Sequence, residues 1–129
     1  MGEKEYMPKI KSIQRSLRLI KEYKWEYWVT EVWHHYARKR IDLFNFCDIL
    51  CLNGNRTIAI QAMGSDYQSH IRKIKENEFV IPWLQAGNEL QLWSWRRYLK
   101  KRGGKAKEWR CKITDVLLHD NEIYFEERG

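Results

Sequence analysis

Asp42-Leu-Phe-Asn-Phe-Cys-Asp48-Ile-Leu-Cys-Leu52, followed across Asn53-Gly54-Asn55 by Thr57-Ile-Ala-Ile-Gln61-Ala-Met63, is the stretch on which the fold turns. Leu43 to Leu52 is nearly continuously apolar, the pattern of a strand covered on both faces. Asn-Gly-Asn supplies residues that tolerate the left-handed conformation of a tight hairpin. Thr57 to Met63 is β-branched and apolar, a third strand paired to the second. Each strand carries a polar residue, Asp48 and Gln61, where an apolar one is expected.

Upstream, Ile10, Ile13, Leu17 and Ile20 recur at helical steps between Pro8 and Tyr23, with Lys and Arg between them, which predicts an amphipathic first helix. Trp25 to Trp33 turns aromatic and β-rich and reads as the first strand, and His34 to Ile41 as a basic connection. Downstream, Gly64 ends the third strand, and Ser65-Asp-Tyr-Gln68 has capping-box form for a second helix running through Ile71 and Ile74. Asn77 to Gly87 predicts a short helix interrupted near Pro82 and closed by Gly87. Leu90 to Trp95 returns to strand, Trp109 to Thr114 alternates as a half-exposed strand, and Asp120-Asn121 turns into a last strand, Glu122 to Glu126.

A chain of 129 residues suits one domain, with loose ends at residues 1–8. Its 43% hydrophobic content, with 7 Trp and 7 Tyr, is enough to offset the entropy of ordering a core. No run of about eighteen apolar residues and no secretory leader is visible, so a soluble cytoplasmic protein away from the membrane is expected. Three cysteines, an odd number, suit a reducing compartment. Cys47 and Cys51, four apart, are expected on one strand face as buried thiols. The net charge of +7 favours a polyanionic partner.

Side chains alternate along a strand, so Gln61 and Met63 share a face with Ala59 and Thr57, and the neighbouring strand can present Asp48 beside them. An ionised aspartate in so apolar a run needs a partner, either an arginine or a metal. A carboxylate and a second oxygen donor on adjacent strands can hold a hard divalent cation such as Mg2+, which positions a water for attack on phosphate. Glu31, centrally placed in strand one, is the expected further carboxylate.

The order of elements and the spacing of Asp48, twelve residues, then Gln61-x-Met63 resemble the PD-(D/E)xK nuclease superfamily, which carries an acid on strand two and Glu/Gln-x-Lys on strand three. Arg40-x-Asp42-Leu-Phe-x-Phe-x-Asp48 and Ile58-Ala-Ile-Gln61 carry the resemblance, with matching topology from the first helix to about Trp95. The chain looks most like compact Holliday-junction-resolvase-like and VRR-NUC-like proteins, phage-encoded ones among them. The resemblance implies a restriction-endonuclease-like α/β (α+β) domain, a mixed sheet flanked by helices in the order α-β-β-β-α-(α)-β-β(-β). It further implies Mg2+ or Mn2+ on Asp48 and Gln61, and DNA as substrate. Two departures stand out. Gln61 brings no negative charge, and Met63 occupies the place of the family lysine, which orients water and stabilises charge at phosphate. Arg72 or Lys73 on the second helix is the expected substitute. The usual first-helix acid has no match, the candidate positions being Gln14 and Ser16.

Arg96 to Lys107 holds seven basic residues and no acid around Gly103-Gly104, and is expected to form a loop over 96–108 that tracks phosphates through Arg96, Arg97, Lys100, Lys101, Arg102, Lys105 and Lys107. Arg38, Lys39, Arg40 and Arg72 are further expected contacts. Most tryptophans should be core or dimer packing, with Trp93 and Trp95 sharing a face, although exposed rings beside cations can stack on unpaired bases. Two functions stay open: a metal-dependent deoxyribonuclease with an atypical site, and a non-catalytic DNA- or protein-binding chain on the same scaffold. A homodimer is compatible with either.

Overall fold

The computed structural model describes the backbone of residues 3–128 and the side chains from residue 9 onward; the expectation for residues 1–8 lies outside the residues described in full. In chain order the elements are α1 (Glu3–Tyr23), β1 (Glu26–Val29), β2 (Val32–His34), β3 (Lys39–Ile41), β4 (Ile49–Asn53), β5 (Arg56–Met63), α2 (Tyr67–Glu76), α3 (Val80–Gln85), β6 (Glu89–Leu99), β7 (Lys107–His119) and β8 (Glu122–Glu127). A six-stranded sheet in the order β1-β4-β5-β6-β7-β8 is antiparallel except for β5–β6, and β2–β3 form a separate two-stranded sheet. The architecture is mixed α+β, a mostly antiparallel sheet flanked by helices, as expected.

The parallel β5–β6 pair needs a crossover, and α2 with α3 supplies it. Helices therefore cover both faces, which is why Leu90 to Trp95 are buried at every position. On one face α1 buries Ile13 and Ile20 against Ile49, Cys51, Ile58, Ile60, Trp93 and Trp95, so the two tryptophans do share a face. Ser16, at one of the two positions where a first-helix acid would stand, donates to Ser12 O at 2.8 Å and accepts the Trp95 indole N–H at 2.8 Å. On the other face Phe46, Cys47, Ala59, Met63, Ile74, Val80, Leu90, Leu92 and Val116 form a second core.

The structure redraws several sequence expectations. The first strand is shorter than Trp25–Trp33, because the chain leaves the sheet after Val29 and Glu31 falls between β1 and β2. The basic connection His34–Ile41 is the turn and second strand of the β2–β3 hairpin, paired through Trp33↔Arg40 and His34↔Lys39. The apolar run from Leu43 is a strand only from Ile49. Residues 43–47 fold into a tight loop in which Cys47 N–H bonds Leu43 O at 3.0 Å, with Phe44 and Asn45 at positive φ. Asp48 thus sits at the mouth of β4, and Cys47 and Cys51 fall in opposite cores rather than on one face.

Downstream, α2 starts at Tyr67 after Asp66 with no side-chain capping bond, so the Ser65–Gln68 box does not form. Pro82 lies within the first turn of α3, where its missing N–H costs nothing, and does not interrupt the helix. Gly87 closes it at φ 89°. The expected loop over 96–108 is shorter: Arg96–Leu99 extend β6 and Lys107 begins β7.

The loop before Asp48 is held by aromatic packing. Phe44 lies 5.1 Å from Phe79, Phe46 lies 5.5 Å from Trp83, and Asn77 Nδ2 donates to Phe44 O at 2.9 Å. Phe46 is fully buried. Phe46→Ala should lower the unfolding free energy by about 3–5 kcal/mol in a denaturant titration, because the cavity lies between the loop and α3 and neither can collapse alone.

Candidate functional site

The site grows from the β4–β5 pairing. Ile49 lies opposite Ile60, so Asp48 falls opposite Gln61, and Asp48 N–H bonds Ile60 O at 2.9 Å. Thr30 anchors the other side: its N–H bonds Asp48 O at 2.9 Å and its hydroxyl donates to Cys47 O. These bonds place the Asp48 carboxylate at the end of β5 with 0% exposure.

Three donors converge on Asp48 Oδ2: the Ala62 backbone N–H at 2.9 Å, Gln61 Nε2 at 3.2 Å and Lys9 Nζ at 3.0 Å. Lys9 comes from α1, and its ammonium, not a residue of α2, meets the buried charge. Arg72 and Lys73 are exposed on α2, and neither pairs with Asp48 among the described residues. Lys9 is the cation that sequence reading missed, since a contact across thirty-nine positions leaves no local signal. Met63 is 1% exposed among apolar neighbours, so the position where the resemblance would place a lysine lies in the core.

Two further carboxyls stand near Asp48. Burial raises the Glu31 carboxyl above its ordinary value, the Asp48 charge adds to this, and Lys9 and Arg40 oppose it. Asp42 is pushed up to about 7, first by burial and then by the Asp48 charge, and it lies close enough to share a proton with Asp48. Like charges in a poorly hydrated site resist joint ionisation, so a proton or another cation stabilises the cluster. Glu31 Oε2 and Asp48 Oδ1 are buried without a hydrogen-bond partner. Sequence reading had used Asp42 only as part of a motif.

His70 was also overlooked. It faces inward from α2, 7% exposed, with Nε2 3.0 Å from Asp66 Oδ2. Burial draws its pKa below the ordinary value, the Asp66 charge opposes this, and the Lys9 charge reinforces it.

A cation-binding role has a mixed fit. The donors are all oxygen, suited to Mg2+ or Mn2+, and two buried carboxylate oxygens lack partners. Yet among the described residues no three His, Cys, Asp or Glu side chains converge closely enough to hold a metal as they stand. Gln61 also presents its amide nitrogen to Asp48, where a metal ligand would present the oxygen. Lys9 neutralises Asp48 in place of an ion.

The basic residues expected to meet phosphate lie around this end of the sheet. The last β5–β6 pair is Met63↔Ser94, and β6 runs on through Arg96 and Arg97 to Leu99, paired with β7 from Lys107 to Cys111. This arm carries Lys100, Lys101, Arg102 and Lys105 at its exposed turn, beyond the strand end that holds the site. Arg38, Lys39 and Arg40 are exposed on the β2–β3 hairpin. On the α1 face, an open groove of about 460 Å³ is lined by Arg15, Arg18, Trp109 and Arg110. Arg15 stacks 3.5 Å over the Trp109 ring, and burial with the like charges of Arg18 and Arg97 lowers its pKa. Cys47 and Cys51 are buried as expected, and burial pushes Cys47, Cys51 and the half-buried Cys111 up to about 12. Among the described residues no helix is long and apolar enough to cross a membrane.

Asp42 sets a pH dependence. Its folded pKa of about 7 exceeds the ordinary 3.8, so the folded state binds the extra proton between these values. The resulting stability is complete below the lower value and is lost as pH rises through the upper one. Asp42→Asn should therefore gain on the wild type as pH rises, with the difference in thermal midpoint in chelator larger at about pH 8 than at about pH 5. Met63→Lys, restoring the motif residue, should cost about 3 kcal/mol or more in chemical denaturation, because the ammonium would enter an apolar core.

No protein-family model, curated protein or solved structure matches this chain.

Proposed function

We propose that the chain is a nucleic-acid-binding protein of the PD-(D/E)xK, restriction-endonuclease-like fold, with metal-dependent hydrolysis of DNA phosphodiesters at an atypical site. The observation that carries this reading is the wholly buried Asp48 opposite Gln61 at the end of β5, with Glu31 and Asp42 beside it. A carboxylate cluster so poorly hydrated is stabilised by cations, and the arm from Arg96 to Lys107 extends positive charge past the same strand end. The mixed α+β architecture, a mostly antiparallel sheet flanked by helices, is compatible with this reading.

In this reading Asp48, Glu31 and Gln61, through its amide oxygen, would hold Mg2+ or Mn2+, which would supply charge neutralisation at phosphate and an acidified water. Lys9 takes the place of the lysine lost at Met63. Its ammonium lies 3.0 Å from Asp48 Oδ2 and would offer a positive charge to the substrate at the strand end. Asp42, half-protonated near neutral pH, is suited to exchange a proton there.

A second reading, a non-catalytic nucleic-acid- or protein-binding chain on the same scaffold, is favoured by the Lys9–Asp48 ion pair at 3.0 Å, which satisfies the carboxylate without metal.

Incubation with branched, duplex and single-stranded DNA in Mg2+ or Mn2+ separates the two. The nuclease reading expects cleavage by the wild type, a loss of about 100-fold or more in Asp48→Asn, and a large loss in Lys9→Met with binding retained. Salt-sensitive binding without cleavage would leave the binder, and neither binding nor cleavage would reject nucleic acid as the partner.

A further inference from the structure

Between Glu31 and Asp42, two of the three clustered carboxyl residues, the chain departs from the main sheet and returns as the β2–β3 hairpin. No residue from 32 to 41 is acidic. Its side chains are open to solvent: Val32 is 57% exposed, Trp33 48% and Tyr36 96%, and Arg38 and Lys39 are exposed beside them. Trp28, on the edge strand β1 that leads into it, is 75% exposed. In the turn, Ala37 N–H donates to His34 Nδ1 at 3.1 Å and Arg38 adopts φ 49°.

Large rings held in water gain nothing for the fold, and a two-stranded sheet by itself is marginal. Aromatic rings on the first strand and turn, facing a run of cations on the second strand with no carboxylate among them, complement a chain of flat bases joined by phosphates. The bases have free π-faces only when unpaired, and each ring offers one stacking platform. Thr30, at the hairpin's base, bonds the backbone of Cys47 and Asp48, so whatever the hairpin holds is delivered beside the carboxyl cluster.

We infer that the β2–β3 hairpin is a docking element for single-stranded nucleic acid, stacking unpaired bases on Trp33 and Tyr36 and neutralising phosphates with Arg38 and Lys39. The inference rests on the nucleic-acid reading above and assigns its substrate class, an unpaired strand or the unpaired part of a branched one. It places recognition on residues that have no part in the carboxyl cluster.

The experiment measures binding of a labelled oligo-dT and of the matching duplex over a salt series, in chelator so that cleavage plays no part. Trp33→Ala with Tyr36→Ala should weaken oligo-dT binding about tenfold or more while changing duplex binding little. Arg38→Gln with Lys39→Gln should reduce the salt slope for oligo-dT by about 1.4, two phosphates' worth on a single strand. Tyr36→Ala alone, at the most exposed ring, gives a variant whose thermal midpoint should match the wild type, and it should still lose affinity for oligo-dT. Oligo-dT binding unchanged in the ring variants would overturn the hairpin inference while leaving the nucleic-acid reading intact. No binding of any nucleic acid by the wild type would overturn both. Self-association of the wild type that the ring variants abolish, with oligo-dT binding unaltered, would assign the hairpin to a second copy of the chain and overturn the inference.

Discussion

A carboxylate removed from water organises this molecule's functional end. Asp48 has no exposure, and an isolated ionised carboxylate in such a place would cost several kcal/mol. The protein meets that cost by convergence: a backbone N–H from β5, an amide from the same strand and an ammonium from α1 all reach one oxygen. Each donor belongs to a larger commitment. The Ala62 N–H fixes β5, Gln61 requires the β4–β5 register, and Lys9 requires α1 to lie across the strand end. The site and the packing of the first helix are thus one arrangement.

The strands that build the centre were legible because their chemistry is local. The β-branched run from Thr57, the Asn53-Gly54-Asn55 turn and the alternation from Trp109 each carry their own signal, and β5, the hairpin turn and β7 follow from them. The error at Leu43–Cys47 has a physical cause. Apolar residues crowd there because Phe46 and Cys47 enter a core, but they do so from a tight loop whose positive φ at Phe44 is invisible in composition. That error placed Asp48 in mid-strand rather than at the strand mouth, while reading Trp25 to Trp33 as one strand hid the hairpin at residues 32–41.

The candidate site divides in the same way. Asp48 and Gln61 were legible as polar intrusions in apolar strands, and Glu31 as an acid of the preceding element. Lys9 and His70 were not, because each reaches the site through helix packing, and nothing in the periodicity of α1 or α2 separates one inward polar residue from a solvated one. Asp42 was visible as a residue but not as a titrating group, since its elevated pKa arises from burial and from Asp48, both products of the fold. Met63 carries the reverse lesson: a position read as missing chemistry is filled by packing, and the cation beside Asp48 comes from α1.

The central claim is that Asp48 is a cation site for which Lys9 and a divalent ion compete. Paramagnetic broadening by Mn2+ tests it most directly, read at the Ala62 amide that donates to Asp48 at 2.9 Å. The account predicts broadening centred on Ala62 and Gln61, tighter apparent Mn2+ binding in Lys9→Met, and none of this local effect in Asp48→Asn. Broadening spread evenly over surface carboxylates, or identical in wild type and Asp48→Asn, would contradict it.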